Sequence, residues 1–136
     1  MLVGMTHRGF ELRLLAVSTS VPTVRQALRE FLAELDVNPD RSEEIMLAVN
    51  EACTNVVMHA YPDGDGDVSV RAEEADGQIV VDVLDTGAGM CPRVDSPGLG
   101  VGLPMIVMLA DSVEIDRPDG GGTHLRMRFG SGAVTR

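Results

Sequence analysis

Along residues 21–35, Val24, Ala27, Leu28, Phe31, Leu32 and Leu35 recur at helical spacing, which places them on one side of a helix. Ser20 or Thr23 can cap this helix, and Pro22 falls in its first turn, where a missing N–H does no harm. Asn38-Pro39 then supplies an N-cap and a first-turn proline for a second helix. Acids Asp40, Glu43 and Glu44 stand near its positive end. Its apolar positions are Ile45, Leu47, Ala48, Val49, Ala52, Val56 and Val57, and it should end near His59-Ala60, before Tyr61-Pro62. Residues 10–17 read as a strand bounded by Ser18-Thr19-Ser20. Residues 68–74 and 78–84 form a hairpin through Ala75-Asp76-Gly77. A second hairpin joins residues 112–116 to 123–129 through a turn rich in glycine. Residues 99–110 are apolar enough for a third helix, and residues 85–97 carry no period. Strands that arrive as hairpins predict an α+β two-layer sandwich, with a mixed, mostly antiparallel sheet and the helices on one face.

The 136 residues allow one domain, with its core at about residues 10–129. Eleven arginines, no lysine and 21 acids give a net charge of −10, so nucleic acid is excluded as a partner on electrostatic grounds. The absence of Trp removes the best platform for stacking bases. No apolar run reaches the roughly 18 residues of a membrane span. The first ten residues lack a signal-peptide core, and His7 is expected in an unstructured N-terminus. A cytoplasmic chain without a membrane partner is expected. Cys53 and Cys91 lack the spacing and His partners of a zinc site, and Cys53 reads as a small buried hydrophobe. The acidic segment Asp63-Gly64-Asp65-Gly66-Asp67 lacks the closing bidentate Glu of a calcium loop and reads as a solvated turn. Residues 10–17, taken as an edge strand, would expose Phe10, Leu12, Leu14 and Leu15, which predicts a homodimer formed through that strand.

Four elements carry candidate chemistry. Glu51, Asn55 and His59 fall at i, i+4 and i+8, along one helical face. An amide oxygen suits Mg²⁺, and a neighbouring carboxylate can act as a general base; a polar edge on an amphipathic helix is the plainer alternative. Asp85-Thr86-Gly87-Ala88-Gly89 follows a strand, so Asp85 offers an acceptor to an exocyclic amine while the glycines allow close backbone approach. Gly98-Leu99-Gly100-Val101-Gly102-Leu103 opens a helix, and free amides there suit phosphate. Gly121-Gly122-Thr123 enters the last strand and reads equally as a hairpin turn. A Walker A pattern is absent, so backbone amides, Mg²⁺ and Arg93 would have to offset the charge of a bound nucleotide.

In order and spacing these elements resemble the GHKL, or Bergerat-fold, ATPases. More closely, the chain resembles the anti-sigma-factor serine/threonine kinases of bacterial partner switching, over about residues 10–129 and including Glu51-Ala52-Cys53-Thr54-Asn55 with His59-Ala60-Tyr61 after it. The resemblance implies Mg²⁺ coordination by Asn55 and a catalytic base at Glu51. It implies adenine recognition by Asp85, a pocket shaped by Gly87 and Gly89, and assistance from Thr123. Gly98, Gly100, Gly102 and Leu103 match the end of the ATP lid, and Arg25 matches an arginine shown to both the sigma factor and its antagonist. One departure is plain: only eight residues, with a single Arg, separate Gly89 from Gly98. The family implies an ATP- and Mg²⁺-dependent anti-sigma factor that sequesters a sigma factor and phosphorylates Ser or Thr on an antagonist. The alternatives are a non-catalytic, nucleotide-dependent binding module and a purely structural interaction domain. A detached histidine-kinase ATPase domain is disfavoured, because His7 is no phosphoacceptor on a dimerising hairpin.

Overall fold

In chain order, β1 (Leu2–Thr6), β2 (Gly9–Leu15), α1 (Val21–Glu34), α2 (Pro39–Asn55), β3 (Asp67–Ala75), β4 (Gln78–Asp85), α3 (Gly102–Leu109), β5 (Ser112–Asp116) and β6 (Thr123–Gly130) make up the computed structural model. It describes residues 2–6, 9–62, 64–87, 102–118 and 121–130. The strands form one sheet in the order β1-β2-β3-β4-β6-β5, and all five pairings are antiparallel. The α+β sandwich is therefore as expected, with a sheet wholly antiparallel among the described strands rather than mixed.

Register explains the dry face. Leu12, Val70, Val83 and Leu125 stand opposite one another across four strands, as do Phe10, Ala72, Val81 and Met127. All eight are buried under Val24, Leu28, Phe31 and Leu32 of α1 and Ile45, Ala48, Val49 and Ala52 of α2. Phe10 and Phe31 meet edge to face at 5.7 Å, the favoured quadrupole arrangement. Cys53 belongs to this core, and burial pushes its thiol up to about 12, so it acts as a small apolar side chain.

Three local expectations need correction. Residues 10–17 are not an edge: β2 is paired on both sides, by β1 and β3, and Phe10, Leu12 and Leu14 are buried in the core. The physical ground for a dimer through that strand is gone, since β1 takes the outer place. The α1 entry is a 3₁₀ turn, Ser18–Ser20, and Ser20 makes no side-chain capping bond. By contrast, the Asn38 side chain accepts from the N–H of Asp40 and Arg41 as expected. Finally, α2 gives way after Asn55 to a π-turn, Val56–Ala60. The α-helix thus ends at Asn55, short of the expected His59-Ala60.

The sheet's other face is charged. Glu11, Arg71, Asp82, Arg126 and Glu114 lie side by side across five strands. Asp82, in the middle, is 1% exposed; it accepts from Arg126 Nε at 2.7 Å and pairs with His124 Nε2 at 2.7 Å. Burial raises its titration, but those hydrogen bonds and charges outweigh it, and the carboxyl sits below its ordinary value.

Arg41 locks the helix layer to the sheet. Its Nε donates to Gly130 O at 2.9 Å, Nη1 donates to Leu109 O at 3.0 Å, and Nη2 donates to Asp111 at 2.7 Å. The guanidinium also lies over the Phe129 ring, 5.3 Å from its centre. Arg41→Met, which keeps the apolar stem but removes every donor, should cost about 2–4 kcal/mol, because two carbonyls and the carboxylates of Asp111 and Glu44 lose this partner. A lowered denaturant midpoint at unchanged slope is the expected readout, and an unchanged midpoint would contradict the clamp.

Candidate nucleotide site

Asp85 ends β4, directly opposite Thr123 at the start of β6, and both are buried. Two residues on, the Gly87 N–H donates to Asp85 Oδ1 at 3.0 Å. Asp85 Oδ2 is buried, and among the described residues no donor reaches it. Buried polar atoms are nearly always satisfied, so an orphan of this kind asks for a ligand. Burial raises the Asp85 carboxyl above its ordinary value, against lowering by the Gly87 N–H and by the charge of Arg117.

The glycines leave room where side chains would collide. A Cβ on Gly87 would come within 3.0 Å of Ala60 O and the Tyr61 ring. At Gly122, where φ is +92°, a Cβ would come within 3.0 Å of Asp85 O, and its N–H donates to Gly87 O at 3.1 Å. Close approach, rather than turn geometry alone, therefore requires glycine at residue 122.

Glu51 and Asn55 stand half-buried on the last turns of α2, and Asn55 is the last residue of the α-helix before the π-turn. The π-turn ends at Ala60, against Gly87, which links this end of α2 to the Asp85 loop. Leu109 O bonds Arg41 at the opposite end of α2, so α3, packed beside α2, runs back from that end toward its start at Gly102-Leu103. Gly89, Gly98 and Gly100, with Cys91 and Arg93, lie outside the described residues, as does His7. Arg25 belongs to a different place. It lines a groove of about 740 Å³ between α1 and α2, with Arg29 beside it and Glu43 and Glu44 across from it.

The residue types fit a purine nucleotide and its metal. Asp85 Oδ2 is a buried acceptor, suited to an exocyclic amine, while the missing side chains at Gly87 and Gly122 make room for Tyr61 and the Asp85 backbone. The Asn55 amide oxygen is a hard donor suited to Mg²⁺. Among the described residues no cluster of three metal-ligating side chains exists, so a divalent ion would draw most of its ligands from phosphate and water. No described helix is long and apolar enough to cross a membrane. Sequence reasoning gave no role to Tyr61, named only within the resembling stretch, or to Gly66, read as part of a solvated turn.

A family model described as the histidine kinase-like ATPase domain matches residues 14–129. The anti-sigma F factor of Caldanaerobacter subterraneus subsp. tengcongensis is 30% identical over 128 residues, covering 86% of this chain and 90% of the relative. That of Clostridium acetobutylicum is 27% identical, covering 91% and 94%. Among solved structures, the RsbU and RsbW domains of Rv1364c from Mycobacterium tuberculosis match with TM-score 0.69 and 28% identity, over 92% of this chain and 34% of that longer one. The histidine kinase domain of the E. coli osmosensor EnvZ, at 18% identity and TM-score 0.51, shares the fold. The chain belongs to the histidine kinase-like ATPase domain family, in its anti-sigma-factor branch.

The raised Asp85 titration has a testable sign. Because its folded value lies above its unfolded one, ionisation costs stability at neutral pH, and the cost vanishes as pH falls through the folded value. Asp85→Asn keeps a carbonyl for the Gly87 N–H and removes the charge. Without nucleotide it should melt higher than the parent at pH 7, with the gap closing in acid; calorimetry at both pH values reads this.

Proposed function

We propose that this chain is an ATP-binding anti-sigma factor that sequesters a sigma factor and phosphorylates a Ser or Thr of an antagonist protein. The observation that carries the nucleotide part is the Asp85 carboxylate, with one oxygen satisfied by Gly87 and the other buried without a donor. Its amine-accepting oxygen, beside Gly87 and opposite Thr123, supports adenine as the base. The partner part rests on the relatives, which carry the name anti-sigma F factor.

In this reading Asn55 holds Mg²⁺, which would neutralise charge on the transferring phosphoryl group. Glu51, on the same face of α2 one turn earlier, takes the proton from the acceptor hydroxyl as its oxygen attacks. Gly102 and Leu103, with Gly98 and Gly100 before them, offer helix-start amides to the phosphates, and Gly89 completes the base pocket. Arg25, exposed on α1, is the partner contact. A cytoplasmic homodimer belongs to this reading on family resemblance alone. The second reading is a binding module without phosphoryl transfer, favoured by the eight residues and single Arg between Gly89 and Gly98.

The deciding experiment mixes the chain with γ-labelled ATP, Mg²⁺ and candidate antagonists, and looks for labelled Ser or Thr. Glu51→Gln should keep nucleotide binding and lose about 10²–10⁴-fold in transfer, the usual worth of a positioned base. In calorimetric titration, Asn55→Ala should lose the Mg²⁺-dependent part of ATP binding. Asp85→Asn should weaken ATP by about 1–3 kcal/mol. A parent that binds an antagonist in a nucleotide-dependent way yet labels none would establish the binding module.

A further inference from the structure

Tyr61 leaves the π-turn with its ring against two glycines. A Cβ at Gly66 or at Gly87 would fall within 3.0 Å of the ring, so both must lack a side chain for it to lie there. The ring is half-buried and packs against the core. Its hydroxyl joins two strands: it donates to Asp67 O at 2.6 Å, at the start of β3, and accepts from the Thr86 N–H at 3.0 Å, just past β4. Thr86 Oγ1 stands 3.4 Å away on the same oxygen.

The segment so fixed is the one that aims Asp85. Thr86 is held through its N–H by Tyr61, and Gly87 through its carbonyl by Gly122. Between these two anchors, the Gly87 N–H is turned onto Asp85 Oδ1. The carboxylate is thereby split into one satisfied oxygen and one open acceptor. Such a group takes one donor. It accepts a purine 6-amino group and opposes a 6-oxo group, acceptor against acceptor.

We propose that Tyr61 is a positioning residue for base selection, which through Thr86 and Gly87 orients Asp85 and so sets the preference for a 6-aminopurine over a 6-oxopurine nucleotide. The inference rests on the reading of Asp85 as the base acceptor. Tyr61 itself need not touch the nucleotide. A ring that only filled space would work as well without its hydroxyl.

The test measures a ratio. A ribose-labelled fluorescent ADP bound to the full chain is displaced by ATP or by ITP, with Mg²⁺ present, and the two affinities are compared. The parent should prefer ATP by about 10²-fold or more, as expected of a site that hydrogen-bonds its ligand. Tyr61→Phe keeps the ring and removes the hydroxyl, and should cut the ATP:ITP ratio about tenfold. Gly66→Ala, which drives a methyl group into the ring, should lower the ratio in the same direction and stands in if Tyr61→Phe folds poorly. General destabilisation weakens both nucleotides alike and leaves the ratio unmoved. The parent ratio in both variants, alongside a collapsed ratio in Asp85→Asn, would overturn the role of Tyr61 and leave the nucleotide site standing. An Asp85→Asn variant with the parent ratio, or a parent that binds neither nucleotide, would overturn the site reading itself and the positioning role with it.

Discussion

Helix α2 must lie across the dry face of the sheet, and almost everything else in the chain follows from how it is pinned there. Its buried side, Ile45, Ala48, Val49, Ala52 and Cys53, covers the sheet, so Glu51 and Asn55 are carried to the layer's edge. At its start Arg41 gathers the ends of α3 and β6 under one guanidinium. Beyond its end, Tyr61 is tied to the first residue of β3 and to the loop after β4. A helix fixed at both ends cannot slide or roll, which gives its polar edge a defined place relative to Asp85. Between the two ties lies the π-turn Val56–Ala60, and such turns are frequent at functional sites.

Strand β4 carries two buried carboxylates, and their contrast separates structure from function. Asp82 and Asp85 are three residues apart, so they point to opposite faces of the sheet. Asp82 is answered by Arg126 and His124, with Arg71 nearby, and titrates low. That carboxylate stabilises the sheet while ionised, and acid would remove its contribution. Asp85 has one backbone donor and one unanswered oxygen, and it titrates high. In the proposed reading the partner that this oxygen lacks is the nucleotide base.

Helices and hairpins were legible because their signals are local. The Asn38 cap, the apolar spacing of α1 and α2, and the turn chemistry between β3 and β4 each sit within a few residues. β1 was not legible: Leu2–Thr6 is short and contains a glycine, and its place depends on pairing with β2. Missing it made β2 look like an edge and gave the wrong reason for a dimer. The π-turn was equally hidden, because Val56–Ala60 has the composition of ordinary helix and departs from it only in hydrogen bonding. At the site, Asp85, Thr123 and the glycine pairs could be named from order and spacing. The work of Tyr61 and Gly66 could not, since a ring lying on a glycine is a contact between segments that leaves no period in either.

Electrostatics narrows how so acidic a chain could hold a triphosphate. With eleven arginines and no lysine, cationic side chains are scarce, and many are already engaged. Arg13 pairs with Asp67, Arg41 with Glu44 and Asp111, Arg71 and Arg126 with Asp82, and Arg128 with Glu114. The charge of Arg117 reaches Asp85, at the base end of the site. Arg25 and Arg29 face the groove between α1 and α2 instead. Among the described arginines little is left for phosphate, so in the proposed reading its charge is met by the amides that open α3 and a divalent ion at Asn55, together with Arg93, which lies outside the described residues. In the proposed reading, affinity built that way depends steeply on the metal, which ties nucleotide retention to the polar edge of α2.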